Sequence, residues 1–308
     1  MKKTGYPILF AGIVFILCMA FWIIYLMQNV ETRTMNEEAR KNAGGKFALL
    51  SSGVTHYDEA GPDSGQTVIL VHGFSVPYYI WDPVFDSLSA RGFHVVRYDE
   101  YGRGFSDRPE TEYNAGLYRR QLLELIQFLK PRGSVDLAGV SFGGPVTADF
   151  CANYPEMVGK LILVDPVYAF EKPFNSEGLE NYFMAYHHEQ QATGQLKDFL
   201  HPQRFPHWVN RYKVQMQFRG FRHALISTRT NYSEDSIISN YRKLGKSDLQ
   251  ILLIWGKQDH TVPYFYSDSL RRILFMAKFL PVEDAAHLPY MEQPSLVIPS
   301  MVRILKNN

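Results

Sequence analysis

A long apolar run opens the chain, and a polar segment follows it. No residue from 6 to 27 is charged. A helix of about 22 residues spans roughly 33 Å, enough to cross a hydrocarbon core of about 30 Å. Trp22 and Tyr25 lie near the far end of the run, where a membrane interface favours such side chains. The pattern predicts a transmembrane signal anchor over residues 1–28. A cleaved signal peptide is the alternative, but the run is long for one and no small-x-small site closes it.

Residues 29–45 are polar, mixed in charge and end in two glycines, which predicts a linker. A short basic tail before the anchor favours a single-pass protein whose folded part lies on the extracytoplasmic side. Basic residues beyond the anchor weaken that charge asymmetry. A flexible linker of about 17 residues would keep the folded part within some tens of ångströms of the bilayer.

Beyond the linker, apolar runs alternate with segments of helical pattern. The run over 67–71 is continuously apolar, which is typical of a strand buried on both faces. The predicted strands are 46–52, 54–57, 67–71, 93–98, 135–140, 161–164, 250–255 and 278–282. The predicted helices are 79–91, 115–129, 146–153, 264–273 and 295–305. This alternation predicts an α/β fold with a mostly parallel eight-stranded sheet covered by helices on both faces, the first two strands pairing antiparallel.

Composition narrows the possible functions. The formal net charge of +1 argues against a protein that binds nucleic acid through a broad basic surface. Two cysteines, Cys18 in the apolar run and Cys151 in a predicted helix, imply no disulfide framework. The hydrophobic share of 46% is enough for a large core.

The strand predicted over 135–140 ends in Gly139-Val140-Ser141-Phe142-Gly143 and leads into a helix. Such a sharp strand-to-helix turn holds the serine in a strained conformation with its hydroxyl exposed, and glycines let the strand and helix approach closely. The pattern predicts a nucleophile elbow at Ser141. An ordinary glycine-rich turn is the alternative, and the order of the other residues decides between them.

Two later strand ends carry candidate partners for the serine. Asp259 follows the strand over 250–255, and His287 follows the strand over 278–282. A parallel sheet gathers functional residues at the carboxyl ends of its strands. A serine hydroxyl needs an imidazole to take its proton, and a carboxylate to orient that imidazole. The chain order Ser, Asp, His fits this arrangement.

From about residue 46 to 305 the chain resembles the α/β-hydrolase family. The resemblance is carried by His72-Gly73-Phe74, the stretch from Tyr101 to Ser106 that contains Gly102 and Gly104, the elbow, Gly256-Lys257-Gln258-Asp259, and Ala286-His287-Leu288-Pro289. It implies a hydrolase core formed by residues 46–165 and 249–308, with a cap inserted after the sixth strand over residues 166–248.

The resemblance also implies the roles of the site residues. Ser141 is the nucleophile, His287 the general base and then acid, and Asp259 its orienting carboxylate. The backbone N–H groups of Phe74 and Phe142 form the oxyanion hole. Asp165, at the end of the sixth strand, is the competing candidate for the acid. Neither a metal nor an organic cofactor is expected.

Other polar residues have structural interpretations. His72 is expected to brace the oxyanion loop, and Asp99 and Asp107 to hold turns. The pair His187-His188 has no third ligand at metal spacing and is expected on a solvated helix face.

The cap is dense in large apolar groups, and helix is its predicted structure. A helix opening at Pro206 is expected to carry four cations among its apolar positions, chiefly as a solvated face. Most aromatic residues should pack the cap on the sheet, and a few should line the pocket and favour an apolar acyl or aromatic substrate. The aromatic and apolar residues in question are Tyr168, Phe170, Phe174, Tyr182, Phe183, Met184, Tyr186, Phe205, Trp208, Met216, Phe218 and Phe221. The cations are Arg211, Lys213, Arg219 and Arg222.

The sequence therefore predicts a membrane-anchored serine esterase of the lipase-like kind, which cleaves lipophilic carboxylic esters such as monoacylglycerols through an acyl-enzyme. Carbon–carbon bond hydrolases and proline iminopeptidases share the same triad and remain alternatives. A receptor of the same fold with a vestigial triad is a third. The sequence gives no indication of oligomeric state.

Overall fold

The protein was analysed as a computed structural model. The structure describes residues 5–170, 172–173 and 175–306, and the side chains from residue 9 onward. Phe174, one of the aromatic residues expected in the cap, lies outside the described residues.

One sheet of eight strands forms the centre of the molecule. Its spatial order is β1-β2-β4-β3-β5-β6-β7-β8. The pairs β1–β2 and β2–β4 are antiparallel and all other neighbours are parallel. The predicted mostly parallel eight-stranded sheet is confirmed. The strands are β1 Lys46–Leu50, β2 Gly53–Ala60, β3 Thr67–Val71, β4 His94–Tyr98, β5 Val135–Val140, β6 Val158–Val164, β7 Gln250–Gly256 and β8 Lys278–Val282.

Helices cover both faces of the sheet. Strands β3, β4 and β5 are buried at every position, and for β3 the continuous apolar run predicts this. Helices α4 and α5 pack on one face, and α3 and α13 on the other. The helices are α1 Gly5–Gln28, α2 Glu37–Arg40, α3 Asp82–Ser89, α4 Ala115–Leu129, α5 Gly143–Asn153, α6 Glu177–Tyr186, α7 His188–Gly194, α8 Trp208–Met216, α9 Phe221–Asn231, α10 Glu234–Leu244, α11 Tyr266–Ile273, α12 Pro289–Glu292 and α13 Pro294–Lys306.

Two helix starts differ most from the sequence prediction, each by three residues. The helix expected over 79–91 is a 3₁₀ turn, Tyr78–Trp81, followed by α3, because Pro83 fits only the first turn of an α-helix. Helix α5 begins at Gly143 rather than at residue 146, since the turn at Ser141 passes directly into it.

The segment between β6 and β7 is helical, as expected for a cap. Helices α6 to α9 lie in this insertion, and α10 returns to pack on α5. Asn240 on α10 donates a hydrogen bond to Asp149 at 2.9 Å, and the Tyr241 hydroxyl donates to the Val167 carbonyl at 3.0 Å. The last helix of the insertion therefore packs as part of the sheet's helical cover.

The four cap cations do not share one helix. Arg211 and Lys213 lie on α8 and pair with Asp82 and Glu189. Helix α8 ends at Met216, and Gly220, at φ 90°, turns the chain into α9. Arg222 on α9 is buried rather than solvated. The expectation of a single basic face is wrong, because the glycine turn separates its two halves.

The segment expected to be a linker makes fixed contacts with the cap and the core. Glu31 is buried and accepts hydrogen bonds from the backbone N–H groups of Gly220 at 3.0 Å and Arg222 at 2.7 Å. The backbone of Arg33 exchanges hydrogen bonds with Gln217 and Arg219 at 2.9 and 2.8 Å. Further along, the Arg40 guanidinium reaches the Phe105 carbonyl and the Asp107 carboxylate. Residues 29–40 therefore pack along the folded domain, instead of forming a free tether.

Candidate active site

Ser141 lies at the turn between β5 and α5. Its φ is 54°, in the left-handed region that a residue with a Cβ rarely adopts. The turn is fixed on both sides, since the Ser141 N–H donates to the Val164 carbonyl at 2.9 Å and its carbonyl accepts from the N–H groups of Gly144 and Val167 at 3.0 Å. A Cβ at Gly139 would lie 2.2 Å from the Gly143 carbonyl oxygen. The strand and the helix therefore pack so closely that a side chain at residue 139 would clash, as the glycine pattern predicts.

His287 and Asp259 form a buried hydrogen-bonded pair. Asp259 follows β7 and His287 follows β8, and the His287 Nδ1 donates to Asp259 Oδ2 at 2.7 Å. The other oxygen, Oδ1, accepts from the N–H groups of Thr261 and Val262 at 2.8 and 2.9 Å. Burial alone lowers the pKa of His287, but the charge and hydrogen bond of Asp259 outweigh it and raise that pKa above its ordinary value. In the neutral imidazole the proton lies on Nδ1, so that Nε2 can act as a base.

Asp165 lies beside this pair without contacting the imidazole nitrogen that Asp259 holds. It follows β6, has a strained φ of 44° and is fully buried. One of its oxygens accepts from the Gly256 N–H at 2.8 Å. Burial, and then the negative charge of Asp259, raise the pKa of Asp165 well above its ordinary value. Asp259, and not Asp165, is therefore hydrogen-bonded to the imidazole, and the raised pKa of Asp165 favours its protonated form.

The same three side chains offer ligand atoms within 4.8 Å of one another, a spacing at which a metal ion can be held. Their hydrogen bonds make a metal site a poor interpretation. Asp259 already accepts three hydrogen bonds, and His287 directs a proton at it. Two of the three candidate ligands therefore already hold each other through a hydrogen bond.

The loop after β3 lies directly against the serine. A Cβ at Gly73 would lie 3.2 Å from the Ser141 Cβ, and the next residue is Phe74. His72 Nδ1 donates to the Gly73 carbonyl at 2.7 Å, while its Nε2 accepts from the Glu100 N–H at 2.9 Å. Burial lowers the pKa of His72 to about 4, so the ring stays neutral and satisfies both bonds. These contacts agree with the expected bracing role of His72.

Arg103 holds the same loop through hydrogen bonds, a role that sequence reasoning missed. Its side chain is fully buried, and its Nε donates to the Phe74 carbonyl at 2.9 Å. Its other nitrogens reach the Tyr118 hydroxyl at 2.6 Å and the Thr228 hydroxyl at 3.2 Å. The signal in the sequence was its position between Gly102 and Gly104, within one of the motifs that carry the resemblance.

Asp99 holds the turn that contains Arg103, as expected. Its carboxylate accepts from the Tyr78 N–H at 2.8 Å, from the Phe105 N–H at 2.9 Å and from His56 Nδ1 at 2.7 Å. Asp107 accepts from the Val54 N–H at 2.7 Å. Both aspartates therefore serve backbone geometry and lie outside the reacting centre.

A cavity of about 300 Å³ brings the reactive groups together. Ser141, His287 and Phe74 line it from the sheet side. From the cap, Gln195, Lys197 and Asp198 close it. The Asp198 backbone carbonyl accepts from the His287 N–H at 3.1 Å, and its carboxylate accepts from the Thr261 hydroxyl at 2.6 Å. Asp198 was not predicted, because no motif marks it.

A second cavity, of about 460 Å³, adjoins the first and shares Phe74, Ser75 and Gln195 with it. Two of the aromatic and apolar residues expected to line a pocket, Phe183 and Met184, do line this one. His187 is exposed and also lines this cavity. Most other aromatic residues of the cap pack inside it. For example, the ring centroids of Trp208 and Phe199 lie 5.0 Å apart. The two neighbouring cavities are together called the cleft: one contains Ser141 and His287, and the other contains the apolar side chains of Phe183 and Met184.

The fold and the site identify the family. The alpha/beta hydrolase family profile matches residues 68–299, three quarters of the chain, and this chain belongs to that family. The family membership that the motifs indicated is confirmed.

Two relatives and one solved structure add detail. The chain is 24% identical to Lipase 3 of Moraxella sp. over 83% of this chain and 82% of the relative. It is 24% identical to Lipase 1 of Psychrobacter immobilis over 80% and 78% of the two chains. Among solved structures, a meta-cleavage product hydrolase from Pseudomonas fluorescens matches with a TM-score of 0.70 and 23% identity, over 85% of this chain and 97% of the other. Such structural likeness speaks for the fold alone.

Proposed function

We propose that this protein is a serine hydrolase that cleaves carboxylic esters of apolar acyl groups through an acyl-enzyme. The observation that carries the proposal is the strained Ser141 in one cavity with His287, whose Nδ1 is held by Asp259 at 2.7 Å. The two lipases that resemble the chain over most of its length support an ester as substrate. The apolar side chains of Phe183 and Met184 in the neighbouring cavity support an apolar acyl group.

The proposed reaction has two halves, acylation of Ser141 and hydrolysis of the acyl-enzyme, and the same residues act in both. Ser141 Oγ attacks the ester carbonyl while His287 Nε2 takes its proton, and Asp259 stabilises the resulting imidazolium. The N–H groups of Phe74 and Phe142 are the proposed donors to the developing oxyanion. His287 then gives its proton to the departing alcohol, which leaves the acyl group on Ser141. Water, deprotonated by His287, releases the acid and restores the serine.

A fluorophosphonate probe tests the activated serine. We expect rapid labelling of the purified protein and none of the Ser141→Ala variant, which serves as the matched control. Absence of labelling in both proteins would favour a binding protein with a vestigial triad over an enzyme.

A substrate panel tests the type of bond that is cleaved. We expect p-nitrophenyl esters of increasing chain length to be hydrolysed faster than dienone and prolyl-amide substrates, with a preference for longer acyl chains. A preference for the dienone would favour a carbon–carbon bond hydrolase, and a preference for the prolyl amide an iminopeptidase.

The proposal includes a membrane location. The apolar helix segment Leu9–Gln28 is long and apolar enough to cross a membrane, and its side chains are exposed, which a soluble environment disfavours. We propose a single-pass protein whose catalytic domain lies on the extracytoplasmic side.

Deleting residues 1–20 tests the anchor while it keeps the residues that contact the cap. We expect the full-length chain in the membrane fraction at its uncleaved mass, and most of the truncated chain in the soluble fraction with its activity on a short ester retained. Full-length protein found entirely in the soluble fraction would contradict the anchor.

A further inference from the structure

The anchor helix and the cap are in direct contact. The Phe21 and Tyr182 rings stack with centroids 3.5 Å apart and planes 9° from parallel. The Tyr25 hydroxyl accepts hydrogen bonds from Asn181 and Arg222, both at 3.3 Å. Together with the bonds of Glu31, these contacts fix the end of α1 against the cap helix α6. The orientation of the cap relative to the anchor is therefore set by packing.

Helix α6 carries an exposed apolar stripe next to this contact. With 100° per residue, Leu179, Phe183 and Tyr186 lie within about 100° of Tyr182 on the same side of the helix. Their exposed fractions are 37%, 42% and 48%. The acidic residues of α6, Glu177 and Glu180, lie about 140–160° from Tyr182, although Glu180 is only about 60° from Phe183 at the edge of the stripe. The apolar surface of the anchor thus continues onto Leu179 and Tyr186, the stripe residues nearest to Tyr182.

The same stripe reaches the cleft. Phe183 belongs to the stripe and also lines the 460 Å³ cavity, beside Met184 and His187. That cavity shares Phe74, Ser75 and Gln195 with the cavity that contains Ser141. Apolar side chains therefore extend from the anchor helix, over α6, to the cavity next to Ser141.

We propose that the stripe formed by Leu179, Phe183 and Tyr186 lies in the interface of the bilayer that holds α1, and that a lipophilic ester enters the cleft past Phe183 without leaving the membrane. The inference rests on the proposed anchor and ester hydrolase activity. The stacking of Tyr182 on Phe21 places α6 at the depth of Trp22 and Tyr25, where the interface lies. A second copy of the chain is a less suitable partner for the stripe, because the exposed anchor beside it already requires surrounding lipid.

The first test measures position and needs no substrate. Full-length protein carrying Cys18→Ser and Leu179→Cys is labelled with an environment-sensitive fluorophore and reconstituted into phosphatidylcholine vesicles. A second protein with Leu200→Cys, another exposed apolar cap residue away from α6, is the control. We expect doxyl-labelled phospholipids to quench the label at residue 179 several-fold more strongly than the label at residue 200. Equal quenching at the two sites would overturn the proposal.

The second test measures delivery. Leu179→Gln/Tyr186→Gln changes two stripe residues that line neither cavity, and Leu200→Gln/Val214→Gln is the matched control elsewhere on the cap. We expect the stripe variant to lose about fivefold or more in kcat/KM on a long-chain ester embedded in vesicles, and to keep its activity on soluble p-nitrophenyl acetate. An equal loss on both substrates, or a loss matched by the control, would overturn delivery through the stripe.

The two tests also separate this inference from the function on which it rests. If the protein hydrolyses no ester of either kind, the proposed function fails, and the quenching comparison still decides whether α6 lies in the interface. If the protein hydrolyses soluble esters but residue 179 is not quenched, the function stands and the membrane surface is refuted.

Discussion

The sheet side and the cap side of the cleft are built in different ways. On the sheet side, each candidate catalytic residue follows the end of a strand. Asp259 accepts hydrogen bonds from the N–H groups of Thr261 and Val262, and the Ser141 N–H donates to the Val164 carbonyl at the end of the neighbouring strand. On the cap side, the bonds join distant parts of the chain. Asp198 meets Thr261 across 63 positions, and Glu31 meets Arg222 across 191.

This difference separates chemistry from delivery. Because neighbouring strands of one sheet fix the positions of Ser141, Asp259 and His287, we expect their geometry to survive change elsewhere. The cap, by contrast, is positioned by its contacts with the N-terminal segment, through Glu31, and with the anchor, through Tyr182 and Arg222. We therefore expect changes on the sheet side to affect turnover, and changes on the cap side to affect stability and access.

The largest predicted effect separates the two buried aspartates. Asp259→Asn should lower kcat by about 10⁴-fold with the fold intact, because an amide no longer stabilises the imidazolium and favours the wrong tautomer. Asp165→Asn should stay within about tenfold of the parent, since an amide resembles the protonated carboxyl that the raised pKa of Asp165 implies. Steady-state kinetics on a p-nitrophenyl ester measure both.

The reverse result would reassign the acid. If Asp165→Asn is nearly inactive and Asp259→Asn nearly active, then Asp165 orients His287 in the working enzyme. Circular dichroism of both variants serves as the control, because loss of the fold would also remove activity.

The second prediction concerns the pH dependence of the sheet-side site. His287 must be neutral to act as a base, and Asp259 raises its pKa above the ordinary 6.5. The kcat/KM should therefore fall as pH decreases through this raised pKa, by tenfold per pH unit at the acid limit, with the inflection above 6.5. Titration of the His287 ring by NMR in Ser141→Ala should give the same pKa. In Ser141→Ala/Asp259→Asn the pKa should be lower, because burial then acts without the opposing charge. An unshifted pKa would contradict the role of Asp259.

The third prediction concerns the cap side. Glu31→Ala leaves the N–H groups of Gly220 and Arg222 without their acceptor, and an unsatisfied buried donor costs about 1–3 kcal/mol. We expect Tm to fall by several degrees in detergent solution, with activity on a soluble ester within about twofold of the parent. Glu38→Ala, at an exposed carboxylate of α2, should leave Tm unchanged. Equal Tm values for the two variants would show that the N-terminal segment does not stabilise the domain.

The same division explains what could be predicted from the sequence. The sheet could be predicted because apolar runs mark its strands, and the elbow because glycines at a fixed spacing surround Ser141. Asp259 and His287 could be predicted because each follows a predicted strand. Asp198 and Glu31 were missed, since their partners lie far away in the chain and no short motif marks them. The expected linker looked free for the same reason: its polar composition resembles that of a tether, and only the tertiary structure pairs Glu31 with the turn at Gly220.

The smallest predicted effect concerns the strain at the elbow. A Cβ in the left-handed region costs about 1 kcal/mol, and glycine removes that cost. Ser141→Gly should therefore be more stable than Ser141→Ala by about 1 kcal/mol in reversible denaturation, although both are inactive. At Ser239, exposed in the middle of α10, the order should reverse, because glycine destabilises a helix interior by about 1 kcal/mol relative to alanine. If alanine is the more stable residue at both positions, the turn does not hold residue 141 under strain, and the proposed strain at the elbow is refuted.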